Sequence, residues 1–460
     1  MRTRGRVILV ALAAQIVLCA GCVTTGARDW LRNGLKVGPE YGRPPAPVAE
    51  SWIQSSDPRV MNHQLEDDHW WDLFQDPALS SLVRTAYAGN PNLRAVGARV
   101  LEARAGQAIS VGNMFPQTQQ LNGSYTRVNL SRNLPLLPTI AKTLPPGTLT
   151  PNFSNWFYGF NLSWELDLWG RIRRNIESTN ATLDASVEDY DDALVTLFAD
   201  VVTNYVQYRV AQQRIKIARD NVRIQEAVLA LASEKFRVGT ATRLDVEQAR
   251  TVLEQTRSTI PGQEIVQGQA NDSLCILLGI PPQDLEPQLG PGPKLGSSPI
   301  PNTPMSVAAG IPADLLRRRP DVRSAERLIA AQSAQIGVAE ADLYPTIYIN
   351  GTLGWDAADF SKAFSTKSFL GLLTPGFRWN ILNYGRIVNN VHLQEARTQE
   401  LVAAYQTKVL SAGREVQVPL RGFVKSQEQA EDLARSVTAA AAATDVGIAQ
   451  YRAGTIDFNR

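Results

Sequence analysis

The chain has 460 residues, 46 Lys and Arg against 44 Asp and Glu, and a formal net charge of +2. That balance leaves no global field for nucleic acid, although the length would allow roughly two to four ordinary domains. Its three histidines, His63, His69 and His392, are scattered, which argues against a histidine metal site or acid–base pair.

The first segment reads as a processing signal. Arg2, Arg4 and Arg6 precede an apolar run from Val7 to Leu18 that is too short to span a bilayer. Small residues Ala20 and Gly21 then lead to Cys22, a pattern that resembles the lipobox of bacterial lipoproteins. The resemblance implies that Cys22 is lipidated as the first mature residue. Because Val23 is not Asp, it also implies sorting to the outer membrane. With Cys19 in the signal and Cys22 acylated, no disulfide pair remains, and Cys275 reads as a small buried hydrophobe.

Residues Val37 to Trp52 hold four prolines and predict an extended linker. Asp76 followed by Pro77 predicts a helix start. A helix is expected from Pro91 to Asn113, then a strand at Leu121 to Val128, a loop, and a strand at Trp156 to Leu168. In the second strand Tyr158, Phe160, Leu162, Trp164 and Leu166 line one face in period-two alternation. Gly170 ends it. From Arg171 to Arg237 there is neither proline nor glycine, which predicts a helix about 100 Å long. Its apolar residues, among them Leu197, Val201, Tyr205 and Tyr208, recur at coiled-coil-like spacing. Val238-Gly239-Thr240 turns the chain, and a second helix returns from Arg243 to Leu278 with an interruption at Pro261-Gly262.

The chain then repeats itself. Trp164-Glu165-Leu166-Asp167-Leu168-Trp169-Gly170-Arg171 returns as Trp379-Asn380-Ile381-Leu382-Asn383-Tyr384-Gly385-Arg386, and Phe236 to Thr240 returns as Tyr451 to Thr455. Both share an offset of about 215 residues, far beyond solenoid periods. Asn90-Pro91 and Arg319-Pro320, like Phe115-Pro116 and Tyr344-Pro345, are offset by about 229 instead, so a loop between them is longer in the first copy. Second-copy strands are expected at Ile347 to Trp355 and Gly376 to Leu382, followed by a long helix from Gly385 to Tyr451 that Pro419 should kink or break. The organisation expected is a signal over 1–21, a lipidated linker over 22–70, repeat one over 71–290, a linker over 291–310 and repeat two over 311–460.

Two strand pairs cannot close a barrel alone, yet their alternating faces and many tryptophans suit lipid. Several chains must pool their strands. These stretches, with Val37-Gly38-Pro39-Glu40-Tyr41, Trp70-Trp71, Leu277-Leu278-Gly279, Arg319-Pro320-Asp321-Val322 and Asn383-Tyr384-Gly385-Arg386, resemble the outer membrane factors of tripartite efflux systems, the TolC-like family and its NodT/OprM-type lipoproteins. The resemblance implies a mainly α fold with transmembrane β. In it, four strands per chain build a twelve-stranded barrel in a homotrimer, and the long helices line a periplasmic tunnel. It implies passive export of drugs or other small compounds from an inner-membrane transporter of RND type through a periplasmic adaptor, without cofactor or catalysis.

Within that frame Val238, Gly239, Thr240, Ala453, Gly454 and Thr455 are expected to contact the adaptor at the helix tips. Asp445, present in only the second copy, and Arg452 are candidates for a periplasmic gate. Arg171, Arg173 and Arg174 are expected at the strand end, facing water, and Asp245 and Glu247 on a solvated helix face. A non-pore helical scaffold lipoprotein is the alternative. Only Ile456 to Arg460 follow the second tip, so a truncated copy that assembles poorly is a further expectation.

Overall fold

The computed structural model describes residues 25–61, 69–129, 131, 152–290, 300–301, 303–453 and 455. The signal segment, Cys22 and Gly454 lie outside these residues. In chain order the elements are α1 (Ala27–Arg32), β1 (Val60–Met61), α2 (Pro77–Gly89), α3 (Pro91–Gly112), β2 (Thr118–Asn129), β3 (Asn152–Leu166), α4 (Arg171–Arg237), α5 (Arg243–Leu278), α6 (Glu286–Leu289), β4 (Val307–Ala308), α7 (Leu315–Arg318), α8 (Pro320–Ala341), β5 (Thr346–Ala357), β6 (Phe369–Arg378) and α9 (Arg386–Ala453).

The duplication is visible in element lengths. Helices α3 and α8 each have 22 residues and each begin with proline, whose missing N–H costs nothing at a first helical position. Helices α4 and α9 have 67 and 68 residues. Before each stands a glycine in the left-handed region, Gly170 at φ 82° and Gly385 at φ 79°, where a side chain would be strained.

Three expectations are corrected. The last strand is β6 at Phe369–Arg378, not Gly376 to Leu382; it holds Pro375, tolerated because β6 is an edge strand whose outer N–H groups have no partner in the sheet. Helix α5 runs through Pro261 and Gly262, both of which are exposed, so the ring stays out of the packed seam. Helix α9 likewise continues through Pro419. The lost backbone bond is offset by a brace: Ile53 N–H donates to Gln417 Oε1 at 3.0 Å, and Arg59 Nη1 to the Val424 carbonyl at 3.3 Å. Trp52, Val60, Leu420 and Val424 bury one another beside that proline.

The described residues form two compact units. The first takes in those up to Pro45, with Leu101–Ser186 and Ser324–Tyr405. It holds an antiparallel sheet in the order β2-β3-β5-β6, with β2 and β6 at open edges.

The second unit comprises Ala46–Val100, Val187–Arg323 and the described residues from Gln406 onward. Its core packs Leu79, Val83 and Ala86 of α2 against Val201 and Tyr205 of α4 and Leu274, Cys275 and Leu278 of α5. The Asp76 side chain caps α2 by accepting from the Ala78 and Leu79 N–H groups at 2.9 and 3.4 Å, and Tyr205 OH donates to the same carboxylate at 2.5 Å. Burial and that carboxylate push the Tyr205 phenol up to about 12. Cys275 is fully buried, with Sγ 3.3 Å from the Gln283 carbonyl. In the same unit β1 pairs with β4 in parallel, Val60 opposite Val307.

Candidate functional site

Residues directly opposite in antiparallel strands share a face, so the register sorts the sheet completely. One face carries Tyr125 of β2, Trp156, Tyr158, Phe160, Leu162, Trp164 and Leu166 of β3, Ile347, Ile349, Leu353 and Trp355 of β5, and Phe369, Leu373 and Phe377 of β6. The other carries Gln120, Asn122, Asn161, Ser163, Glu165, Tyr348, Asn350, Thr352, Thr374 and Arg378, with Leu372 among them and Phe153, Phe157 and Leu370 toward the loop end. On it Ser163 Oγ donates to Asn350 Oδ1 at 2.8 Å and Thr352 Oγ1 to Asn161 Oδ1 at 2.9 Å. An apolar face opposite a polar, self-bonded one, over strands of ten to fifteen residues, is the pattern of a wall between lipid and water.

Aromatics gather at the loop end of the apolar face. Tyr125 lies 4.4 Å from Trp156, and Tyr158 stacks on Trp355 at 5.4 Å between ring centres. At the helix end the tryptophans act in repeat-related pairs. Trp164 Nε1 donates to the Met114 carbonyl at 3.2 Å, and its counterpart Trp379 donates to the Leu343 carbonyl at 2.9 Å. The two offsets found in the sequence meet in this one contact, once per copy.

The arginines after β3 are not free in water as expected. Arg171 forks onto Glu165, with Nη2 2.7 Å from both carboxylate oxygens. Asp167 caps α4, accepting from the Ile172 and Arg173 N–H groups at 2.9 and 3.0 Å, where the helix dipole favours an anion. Arg174 is 2% exposed. It donates to the Val37 and Gly38 carbonyls at 2.9 and 3.0 Å and pairs with Glu40 at 3.0 Å and Glu177 at 2.8 Å. The Val37–Glu40 segment therefore lies as a strap across the start of α4. Gly38 makes this approach possible, since a Cβ there would sit 2.3 Å from Gly337 Cα. Nothing near Arg174 in the sequence signals this burial; apart from Glu177, its partners come from more than a hundred residues away.

At the helix ends Gly239 has φ 79° and open space around it, and Val238 is exposed. Thr240 N–H and Oγ1 both donate to the Lys235 carbonyl, at 2.8 and 3.1 Å. Thr455 repeats this with the Gln450 carbonyl, both at 3.0 Å. Ala453 closes α9 and is exposed. The structure brings the two ends together within the second unit, where Lys235 Nζ lies 4.2 Å from the centre of the Tyr451 ring and donates to the Tyr451 carbonyl. Desolvation first, then the Asp245 carboxylate, push the Tyr451 phenol up. Asp245 is more than a solvated side chain: with Thr242 it forms a capping box at the start of α5. Sequence reasoning passed over Lys235, placed Asp245 on a solvated face although the Thr-x-x-Asp spacing was legible, and used Tyr451 only to mark the repeat. Asp445 is exposed and forms no ion pair among the described residues, and only the backbone of Arg452 is described.

Among the described residues no group of His, Cys, Asp or Glu is placed to hold a metal ion, and no helix is long and apolar enough to cross a membrane. The outer membrane efflux protein family model matches residues 82–279 and 311–458, one match for each copy. The pyoverdine export outer membrane protein OpmQ of Pseudomonas putida is 30% identical over 85% of this chain and 80% of its own length. Nodulation protein T of Rhizobium leguminosarum bv. trifolii is 28% identical over 94% of this chain and 88% of its own. Among solved structures, the outer-membrane channel OprN superposes with a TM-score of 0.82 at 31% identity, covering 92% of this chain and 90% of that one. With the family model spanning most of its length in two matches, this chain belongs to the outer membrane efflux proteins.

Proposed function

We propose that this chain is the outer-membrane duct of a tripartite export system. Three copies pool their sheets into a closed barrel, anchored beside it through acylated Cys22. Small compounds delivered by an inner-membrane transporter of RND type through a periplasmic adaptor pass through it passively. The observation that carries this reading is the two-faced sheet with β2 and β6 unpaired: an open apolar edge is viable in neither water nor lipid until another copy pairs with it. The relatives are named for export of pyoverdine, for nodulation and for channels, which supports the general role without naming a solute here. Val238, Gly239 and Thr240, with Ala453 to Thr455, offer exposed turn backbone to the adaptor. Asp445 and Arg452 stand on the last helix as gate residues, and an Asp445→Ala channel with unchanged single-channel conductance would end that role.

The test is the mass of the purified protein together with its conductance in planar bilayers. A trimer that conducts is expected; a chain that neither trimerises nor conducts refutes the duct. One observation favours a second reading, a copy that does not assemble. Every residue of α9 from 429 to 446 is exposed, whereas the equivalent stretch of α4 alternates with half-buried positions and buries Ile215. A monomer in the same mass measurement is its signature.

A further inference from the structure

The polar face of the sheet carries three charged side chains in its strands: Glu165, Asp356 and Arg378. Glu165 is already neutralised by the bidentate fork of Arg171. Asp356 stands at the loop end, opposite Phe157, while Arg378 stands at the helix end, opposite Thr346. Arg378 is exposed, and among the described residues no carboxylate pairs with it. It lines a hollow of about 400 Å³ with Gln117, Ser163, Glu165, Tyr348 and Asn350, whose amides and hydroxyls add hydrogen-bond donors. Two more carboxylates stand near this end, Asp167, paired with Arg173, and Asp342, which feels Arg171 and Glu165; neither is part of that lining.

We infer that Arg378 is a charge-selecting residue of the channel wall, which draws anionic solutes such as carboxylates into the helix end of the barrel lumen. The inference rests on the duct reading. In a trimer three guanidinium groups would face one aqueous space bounded by low-dielectric walls, where a ring of like charge focuses the field and raises the local concentration of counter-ions. The planar fork matches a carboxylate in a way an ammonium would not.

Reversal potentials across a KCl gradient test it, with the full chain in planar bilayers. The wild type is expected to prefer chloride. Arg378→Gln should lower the chloride-to-potassium permeability ratio at least about twofold, and Arg378→Glu should move the reversal potential to the potassium side. Conducting Arg378→Gln or Arg378→Glu channels with an unchanged reversal potential overturn the inference and leave the duct standing. A wild-type protein without conductance overturns both. Should Arg378→Glu form no channel, the ratio measured for Arg378→Gln decides alone.

Discussion

Trp169 to Arg174 and Tyr384 to Asn389 occupy the same place in the two copies, each joining a strand end to a long helix. In the first, Trp169 stacks on Tyr344 at 4.6 Å, meets Trp30 at 5.3 Å and donates through Nε1 to the Pro345 carbonyl. Val37 N–H closes on the Trp169 carbonyl at 3.0 Å. In the second, Tyr384 is 95% exposed and Leu382 is 83% exposed. A duplicated sequence reproduced the backbone, including the left-handed glycine, but burial came from a partner that only one copy has. The strap reaches the first junction, and nothing within the described residues covers the second to the same degree.

The comparison can be broken most directly at its centre. Arg174→Ala should leave the Val37 and Gly38 carbonyls without their donor and Glu40 and Glu177 with Lys36 alone, and cost about 2–4 kcal/mol. Asn389→Ala, at the equivalent place in the second copy, should stay within about 0.5 kcal/mol, since Asn389 bonds only its own Gly385 carbonyl. Thermal unfolding of the detergent-solubilised protein measures both, and equal losses would mean that the strap does not set the difference. Gly337→Ala should cost about 1–3 kcal/mol, because the new Cβ would lie 2.7 Å from the Val37 carbonyl and 2.9 Å from Arg174. Gly413→Ala, in open helical surface, should instead stabilise by about 0.5–1 kcal/mol.

At the far end of the first copy, Asp245→Ala should remove the capping box and cost about 1 kcal/mol, read as faster amide exchange in the first turn of α5. The smallest effect concerns the starts of α3 and α8. Asn90 caps the first with a neutral amide, accepting from Leu93 N–H at 2.8 Å. Asp321, at the start of the second, is held by Arg319 at 2.8 Å and Lys408 at 3.2 Å. Desolvation opposes ionisation of Asp321, but these two cations outweigh it and lower its carboxyl below the ordinary value. Its contribution is therefore full above the unfolded carboxylate value of about 3.9 and is lost as pH falls through the folded one. Acid should loosen the start of α8 before that of α3. An Asp321→Asn protein whose melting temperature falls with acid as steeply as the wild type would refute this.

Much of this was legible because the signals were local or repeated. Gly170 and Gly385, the Asp76 cap and the alternating run around Trp164 each fixed an element within a few residues. The two offsets located the longer loop that the Trp164 and Trp379 contacts confirm. Strand β6 was misplaced because Leu370, Gly371 and Pro375 blur alternation, and only its pairing with β5 restores it. Pro419 and Arg174 were misjudged for one reason. The groups that brace the first and bury the second lie far off in the chain, where no window of sequence can join them.

The strap also has an order of events built into it. Thr25 N–H donates to Glu340 across 315 positions of sequence, and Gly38 meets Gly337 across nearly as many. Such contacts carry a large loop-closure entropy, so they form late. The strap is therefore synthesised early, yet it can be seated only after most of the second copy, with Gly337 and Glu340, has been made.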